Sequence, residues 1–276
     1  MSSQEAFLAR VRRAMHKHDS HPTSNPPLLW HDYDIAEAAV ALQARLAEQR
    51  PALIRKIQEE LPAVSGAVAH VHSSADAVQY VTHLAQERAA QLVVRWQSDL
   101  LETLEVDAAL QQHGMTVHTT AVPTGRKASA AAMAAQRQTL RDVVTRADLG
   151  VSGVDYVIAE TGTLVLRTLA GQMRGVSLLP PVHVAIARTS QVLGTLADFL
   201  LLTQAAGTDL QQQLTSCVSF VTGPSRTADI ELTLAVRVHG PGELHLVLLD
   251  EPPVSRRPSV RNRLVHRRRN TQAEGE

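Results

Sequence analysis

The sequence predicts an α/β fold: an open, mostly parallel sheet flanked by helices, preceded by an N-terminal helical extension. The first observation is that short apolar runs alternate with helical segments between residues 61 and 120. This strand–helix–strand–helix–strand order is the signature of right-handed crossovers between parallel strands. The second is the near-continuous apolar run at 244–249, which is typical of a strand buried on both faces. The chain has 276 residues, 44% of them hydrophobic, so it is long enough to bury such a core.

The chain divides into three predicted parts. Residues 1–60 form a helical extension. In it, an Ala- and Leu-rich helix begins at Asp34, and a second helix begins at Pro51, which suits a first helical turn, and ends before the next proline. Residues 61–250 form the α/β domain. Residues 251–276 lose the apolar pattern and become rich in Pro and Arg, which predicts a basic, flexible tail.

Three strands and two helices are predicted first within the α/β domain. The strands lie at 67–71, 91–96 and 115–119. Ser74 caps the first helix. The second helix begins at Asp99 and closes at Gly114, where glycine suits a left-handed backbone. An Ala-rich helix follows and ends at about residue 148.

The second half of the domain has a different residue pattern, in which short β-like runs are separated by Gly or Pro. These runs lie at 154–159, 163–167, 176–179 and 183–187. A helix is predicted over 191–204. Two near-continuous apolar runs, at 217–222 and 244–249, predict strands buried on both faces.

Composition excludes several classes of protein. Lys+Arg and Asp+Glu both number 27, so no net charge recruits nucleic acid or a membrane surface. The single cysteine, Cys217, rules out an intramolecular disulfide and a cysteine-ligated iron–sulfur or Cys-rich zinc site built from this chain alone. No charged and apolar leader opens the sequence, and no apolar run reaches the ~18 residues of a membrane span. We therefore expect a cytoplasmic protein with no membrane span.

Four segments keep polar residues at, or just after, predicted strand ends. They are 159–163, 174–183, 223–231 and 239–241. Ligands in open α/β sheets gather at the carboxyl ends of strands, so this placement indicates binding or catalysis.

The segment 223–231 allows two interpretations. After a buried strand, its Gly-Pro pair forces a turn, and Ser225, Thr227 and Asp229 are able to cap a following helical turn. Free amides at that helix start, together with Arg226, would bind phosphate or carboxylate. Alternatively, the segment is a capped loop in which Arg226 pairs with Asp229 or Glu231.

Glu160 also has two interpretations. Burial at a strand end would raise its pKa and suit a nucleophile or general base, while Thr161, Gly162 and Thr163 supply hydroxyls and close backbone approach. The alternative is a tight hairpin with Glu160 at its solvated mouth, which is the commoner role for a strand-end glutamate.

The remaining candidates are single side chains. His183 and His239 suit acid–base chemistry, but their spacing makes no compact ligand pair, so we expect no metal site there. Arg174 either binds an anion or lies on the surface. Cys217 lies in an apolar run and is expected to be a buried, unreactive thiol.

The C-terminal tail carries seven arginines and no acid between residues 256 and 269. Such a run is able to bind nucleic acid or anionic lipid. It lacks interleaved aromatic residues for base stacking, so a solvated end is the preferred interpretation and no nucleic-acid partner is expected.

Five ordered blocks resemble the LUD-domain family, specifically its lactate utilisation protein C group. The matching blocks are Gly-Val-Ser-Gly-Val-Asp at 150–155, Ile-Ala-Glu-Thr-Gly-Thr-Leu-Val-Leu at 158–166, Val-Ser-Leu-Leu-Pro-Pro-Val-His at 176–183, Gly-Pro-Ser-Arg-Thr-Ala-Asp-Ile-Glu at 223–231, and Val-His-Gly-Pro at 238–241. The closing strand at 243–250 fits as well.

The resemblance implies a fold like that of phosphosugar isomerases and coenzyme A transferases. It also implies a role in oxidising L-lactate to pyruvate beside two iron–sulfur partner proteins, with no cofactor in this chain. The single cysteine agrees with clusters held by the partners. Glu160-Thr161-Gly162 is similar in form to the Glu-Asn-Gly turn with which many such transferases form an acyl intermediate.

Three functions therefore remain open. The first is a component of a lactate-oxidising system acting beside iron–sulfur proteins. The second is a free-standing enzyme that uses Glu160 on a small anionic substrate such as an acyl-CoA or a phosphosugar. The third is a binding module that senses lactate or tethers nucleic acid through its tail.

Overall fold

A six-stranded parallel sheet forms the centre of the molecule. The computed structural model describes residues 34–121, 130–206, 217–228, 234–236 and 240–250. The strands of this sheet are β1 (Ala67–Val71), β2 (Leu92–Arg95), β3 (Thr116–Thr119), β4 (Leu149–Gly153), β7 (Val182–Arg188) and β12 (Glu243–Leu249). They lie in the order β1–β12–β7–β4–β2–β3, and every neighbouring pair is parallel. The predicted fold class is confirmed.

Helices flank this sheet. They are α1 (Ile35–Ala63), α2 (Ser74–Glu87), α3 (Asp99–Thr103), α4 (Val106–Gln112), α5 (Ala130–Arg146), α6 (Gly175–Leu178) and α7 (Leu196–Ala205). A short 3₁₀ turn, Thr189–Gln191, precedes the strand that leads to α7. Among the described residues, none of the helices combines the length and the apolar character that crossing a bilayer requires.

A second, four-stranded sheet packs beside the first and was not predicted. Its strands are β5 (Tyr156–Ile158), β6 (Thr163–Arg167), β8 (Val192–Leu193) and β9 (Val218–Val221), in the order β8–β5–β6–β9. β5 and β6 are antiparallel, as are β6 and β9, whereas β5 and β8 are parallel. A separate antiparallel pair is formed by β10 (Arg226–Ala228) and β11 (Leu234–Val236).

The N-terminal helix α1 is one continuous helix, where two were predicted. The side chain of Asp34 caps it by accepting hydrogen bonds from the next helical amides, and Pro51 lies inside it. A proline in a helix interior removes one backbone hydrogen bond, which costs about 3 kcal/mol. Burial on both sides of Pro51 offsets this cost, because Leu42 and Leu46 pack in the core of the second sheet and Ile57 packs in the main core.

Helix α1 continues past residue 60, where the boundary between the extension and the α/β domain was predicted. The division of the chain into three parts remains a prediction. The predicted tail, 251–276, lies outside the described residues.

Several predicted elements differ in detail. Ser73, not Ser74, caps α2, since its hydroxyl accepts from the amide of Asp76 at 3.1 Å. The helix predicted from residue 99 breaks into α3 and α4 at Glu105, whose φ of 52° is left-handed. Gly114 is left-handed as predicted, with a φ of 81°. The helix predicted over 191–204 begins later, at a capping box built on Thr195.

Two strand predictions are wrong: one segment is a helical turn, and one strand is not buried on both faces. Residues 176–179 fall largely in the helical turn α6, which lies directly on β4: a Cβ on Gly150 would come within 2.0 Å of the carbonyl oxygen of Val176. β9 is an edge strand whose burial alternates, with Phe220 49% exposed. β12, with a neighbour on each side, is buried along its apolar length as predicted.

Candidate functional site

A cavity of about 230 Å³ brings together three of the four predicted segments. It is lined by Ser177, Leu178, His183, Phe220, Val221, Thr222, Gly223, Pro224, Ser225, Gly240, Pro241 and Leu244. These residues come from α6, from the starts of β7 and β12, and from the end of β9 with the turn that follows. Three of the predicted segments therefore meet at one cavity, although they meet in a different way from that expected.

The cavity lies at the amino ends of β7 and β12. His183 is the second residue of β7, and Gly240 and Pro241 precede β12. The expectation that the segments lie at the carboxyl ends of strands is wrong for those that enter β7 and β12, because a turn that enters a parallel strand lies at the opposite edge from one that leaves it. The turn at Gly223 does follow the carboxyl end of its strand, β9.

His183 is the fully buried titratable group of the described cavity lining. Its side chain is fully buried, and its Nε2 shares a hydrogen bond of 2.8 Å with the hydroxyl of Ser152 on β4. Its Nδ1 has no hydrogen-bond partner within the described part of the chain. Burial, with a smaller contribution from the nearby His245, lowers the pKa of His183 to about 3. The imidazole is therefore neutral at pH 7.

A chain of threonine hydroxyls joins the fourth segment to the cavity wall. Thr161 and Thr163 share a hydrogen bond of 2.6 Å, and Thr163 shares one of 2.7 Å with Thr222. Thr163 is 6% exposed, whereas Thr161 and Thr222 are exposed, so only the middle of this chain is buried. The 159–163 turn therefore adjoins the cavity without lining it.

Two glycines with left-handed backbone lie in the turns after β5 and β9, and they let these turns pack against the end of α1. Gly162 has a φ of 62°, and a Cβ there would lie 2.8 Å from the backbone of Leu61. Gly223 has a φ of 82°, and a Cβ there would lie 2.4 Å from the carbonyl oxygen of Val64. Both the backbone conformation and the close approach exclude larger residues, so these positions require glycine.

Glu160 lies on the β5–β6 hairpin, outside the cavity. Its amide donates to the carbonyl of Gly194 at 3.0 Å. Its side chain is exposed, and no hydrogen bond or ion pair of its carboxylate is found within the described ranges. This placement matches the hairpin alternative.

Arg226 belongs to strand β10, so the predicted helical turn with free amides is wrong. β10 pairs with β11, with Arg226 opposite Val236. The guanidinium donates to the hydroxyl of Ser65, just beyond α1. The amide of Ser225 is also occupied, since it donates to the carbonyl of Pro241 at 2.8 Å.

The other predicted site residues are not part of the cavity as described. Arg174 is exposed at the start of α6, 3.5 Å from the sulfur of Cys217, which is itself only partly buried. Thr227 belongs to β10. Asp229, Glu231 and His239 lie outside the described residues.

The lining chemistry favours a small ligand held by hydrogen bonds. Among the described residues, no hydrogen-bond partner is found for Nδ1 of His183, and the hydroxyl of Ser225 also lines the cavity. The apolar part of the wall includes Leu178, Phe220 and Leu244. No Lys or Arg is among the described lining residues. Ser152 and Thr222 were not among the predicted site residues, although a buried serine within a strand indicates a hydrogen-bond partner nearby.

Comparison with known proteins places these features in a family. The family model described as LUD domain matches residues 54–249. Lactate utilization protein C of Halalkalibacterium halodurans is 32% identical over 59% of this chain and 64% of its own length. Lactate utilization protein C 1 of Bacillus mycoides is 42% identical over 38% of this chain and 44% of its own.

Two further matches are more distant. The uncharacterized electron transport protein YkgF of Escherichia coli is 24% identical over 80% of this chain and 53% of its own length. A solved DUF162 family protein from Deinococcus radiodurans has a TM-score of 0.49 at 18% identity, covering 72% of this chain and 98% of that one. The chain thus spans between 44% and 64% of these three curated relatives. Because the family model covers more than half of the sequence, the chain belongs to the LUD-domain family.

Proposed function

We propose that this protein is a component of a cytoplasmic L-lactate utilisation system that oxidises lactate to pyruvate beside iron–sulfur partner proteins. The observation that carries the proposal is the 32% identity over 168 residues to a protein named lactate utilization protein C. The similarity to a protein named as an electron transport protein supports a redox setting.

The chemistry explains why partners are needed. Oxidation of lactate to pyruvate releases two electrons and two protons, and the electrons require a carrier. A cysteine-ligated cluster needs several thiolates, and this sequence has one cysteine. We therefore assign the clusters to partner proteins and none to this chain.

The cavity is the proposed ligand site of this component. The buried, unpaired Nδ1 of His183 and the hydroxyl of Ser225 provide hydrogen-bonding groups for a small oxygen-containing ligand. A buried polar atom without a partner is costly, and a ligand would satisfy it. The volume of about 230 Å³ lies below the ~300 Å³ at which pockets for drug-sized ligands begin, and so suits a molecule of lactate's size.

The free-standing enzyme is less well supported. Glu160, the residue that this enzyme would use, is exposed and does not line the cavity.

A growth experiment tests the proposed function. Deleting the gene, in a strain without a second copy, should abolish growth on L-lactate and leave growth on pyruvate unchanged. Expression of the protein from a plasmid should restore growth on L-lactate. Undiminished growth of the deletion strain on L-lactate would overturn the proposal.

A binding experiment tests the cavity separately. L-lactate and pyruvate at millimolar concentration should raise the melting temperature of the wild-type protein and of Glu160→Gln, because ligands stabilise the folded state they bind. They should not raise that of His183→Leu. Equal effects on both variants would exclude the cavity as the ligand site.

A further inference from the structure

A second cluster of polar side chains lies at the opposite end of β12 from the cavity. His70 is in the edge strand β1, His72 lies just beyond its end, and Asp250 directly follows β12. The amide of Asp250 donates to the carbonyl of Val71 at 2.9 Å, which holds the two strand ends in register. A strand of seven residues spans roughly 20 Å, so this cluster is separate from the cavity.

The three side chains converge because of strand geometry. Residues two apart in a strand point to the same face, so His70 and His72 lie side by side. Their ring centroids are 5.0 Å apart. β1 and β12 are parallel neighbours, so both strands deliver their carboxyl ends to this edge, which is where ligands of open α/β sheets bind.

The ligand atoms are already close to a metal-binding arrangement. Nε2 of His70 lies 2.8 Å from one carboxylate oxygen of Asp250, and Nδ1 of His72 lies 2.6 Å from the other. One ligand atom from each residue lies within 4.8 Å of the others. Bonds of about 2.0–2.1 Å in tetrahedral geometry place ligand atoms about 3.3 Å apart, so side-chain rotations would bring these three atoms to metal-binding distances.

We propose that His70, His72 and Asp250 bind a divalent transition-metal ion, with Zn²⁺ as the best match. Two imidazoles and one carboxylate suit Zn²⁺, whereas Mg²⁺ and Ca²⁺ prefer an all-oxygen set. Three protein ligands leave a fourth position for water or a substrate oxygen. The side chain of His72 is 76% exposed and that of Asp250 37%, so this position is reachable from solvent.

This inference replaces the sequence-based expectation that the chain has no metal site. That expectation considered only His183 and His239 and overlooked the His-Val-His sequence at 70–72. The missing third ligand was not visible in the sequence, because Asp250 is 178 positions from His72.

Calorimetric titration of the metal-free, full-length protein with ZnCl₂ tests the site. We expect one ion per chain. Loss of an outer-shell partner alone weakens metal binding by about 10–100-fold, so loss of a direct ligand in His72→Ala or Asp250→Asn should weaken it at least as much. His83→Ala is the matched control, since its side chain is also exposed, at 70%, and hydrogen-bonds no residue of the cluster.

Thermal unfolding separates loss of metal binding from loss of fold. Zn²⁺ should raise the melting temperature of the wild type and of His83→Ala, and should leave that of His72→Ala and Asp250→Asn unchanged. Co²⁺ bound to the wild type should show the visible absorption of a tetrahedral site. Absence of one-to-one binding by the wild type, or equal affinity in His72→Ala and His83→Ala, would overturn the assignment.

Discussion

Replacing Gly223 by alanine tests how tightly the cavity wall packs on the end of α1. The added Cβ would lie 2.4 Å from the carbonyl oxygen of Val64, a backbone atom that cannot rotate away. Gly114 provides the matched control: its φ of 81° nearly equals the 82° of Gly223, but an added Cβ there meets no atom within 4 Å. The pair separates the cost of a left-handed alanine from the cost of the steric contact.

The expected magnitudes follow from these two terms. A left-handed alanine costs about 1–2 kcal/mol, so Gly114→Ala should lower the free energy of unfolding by that amount. Overpacking against a fixed neighbour adds about 1–3 kcal/mol, so Gly223→Ala should lower it by about 2–5 kcal/mol. The entropy that alanine removes from the unfolded chain is shared by both variants and cancels in the comparison.

Urea denaturation of both variants, followed by circular dichroism, measures the difference. The midpoint of Gly223→Ala should lie clearly below that of Gly114→Ala. Equal free energies of unfolding, within about 0.5 kcal/mol, would show that the turn at Gly223 does not rest on α1 and would refute the packing described for the cavity wall.

Three further predictions concern single side chains. Burial lowers the pKa of His183 to about 3, so below pH 6.5 the unfolded chain binds a proton that the folded chain does not. As the pH falls from 6 to 4, the free energy of unfolding of the wild type should therefore decrease by about 1.4 kcal/mol per pH unit more than that of His183→Leu, measured by urea titration. Parallel profiles for the two proteins would contradict the burial of His183. Glu160→Gln should change stability by less than about 0.5 kcal/mol and still restore growth on L-lactate, whereas a stable variant that fails to restore it would favour acyl transfer. Asp107→Ala should destabilise the protein by about 3–5 kcal/mol in thermal unfolding, since it leaves the buried guanidinium of Arg95 unpaired, and a loss under 1 kcal/mol would contradict this.

Local pattern was sufficient for several strands of the two sheets. The strands at Ala67–Val71 and Thr163–Arg167 have their predicted bounds, because each is a short apolar run between clear turn signals. The apolar run of β12 correctly indicated burial on both faces. These strand bounds depend on residues close together in sequence, so they could be predicted from the sequence alone.

Long-range contacts explain what was missed. The second sheet depends on which strands pair, and the apolar run of β9 does not reveal that it pairs with a single strand, β6, among those the structure describes. Residues 176–179 are apolar enough for a strand, and their helical turn follows from close packing on Gly150. Polar residues near turns identified the regions of the cavity, but not that it lies at the amino ends of its strands.

Purification from native cells tests the central claim most directly. The protein, tagged at its N-terminus, would be isolated anaerobically from lactate-grown cells, and the isolate would be assayed for iron, acid-labile sulfide and pyruvate formation from L-lactate. We predict recovery with cysteine-rich iron–sulfur proteins and L-lactate-dependent pyruvate formation. Recovery of the protein alone at every salt concentration tried, with no such activity, would contradict its assignment as a component of a lactate-oxidising system.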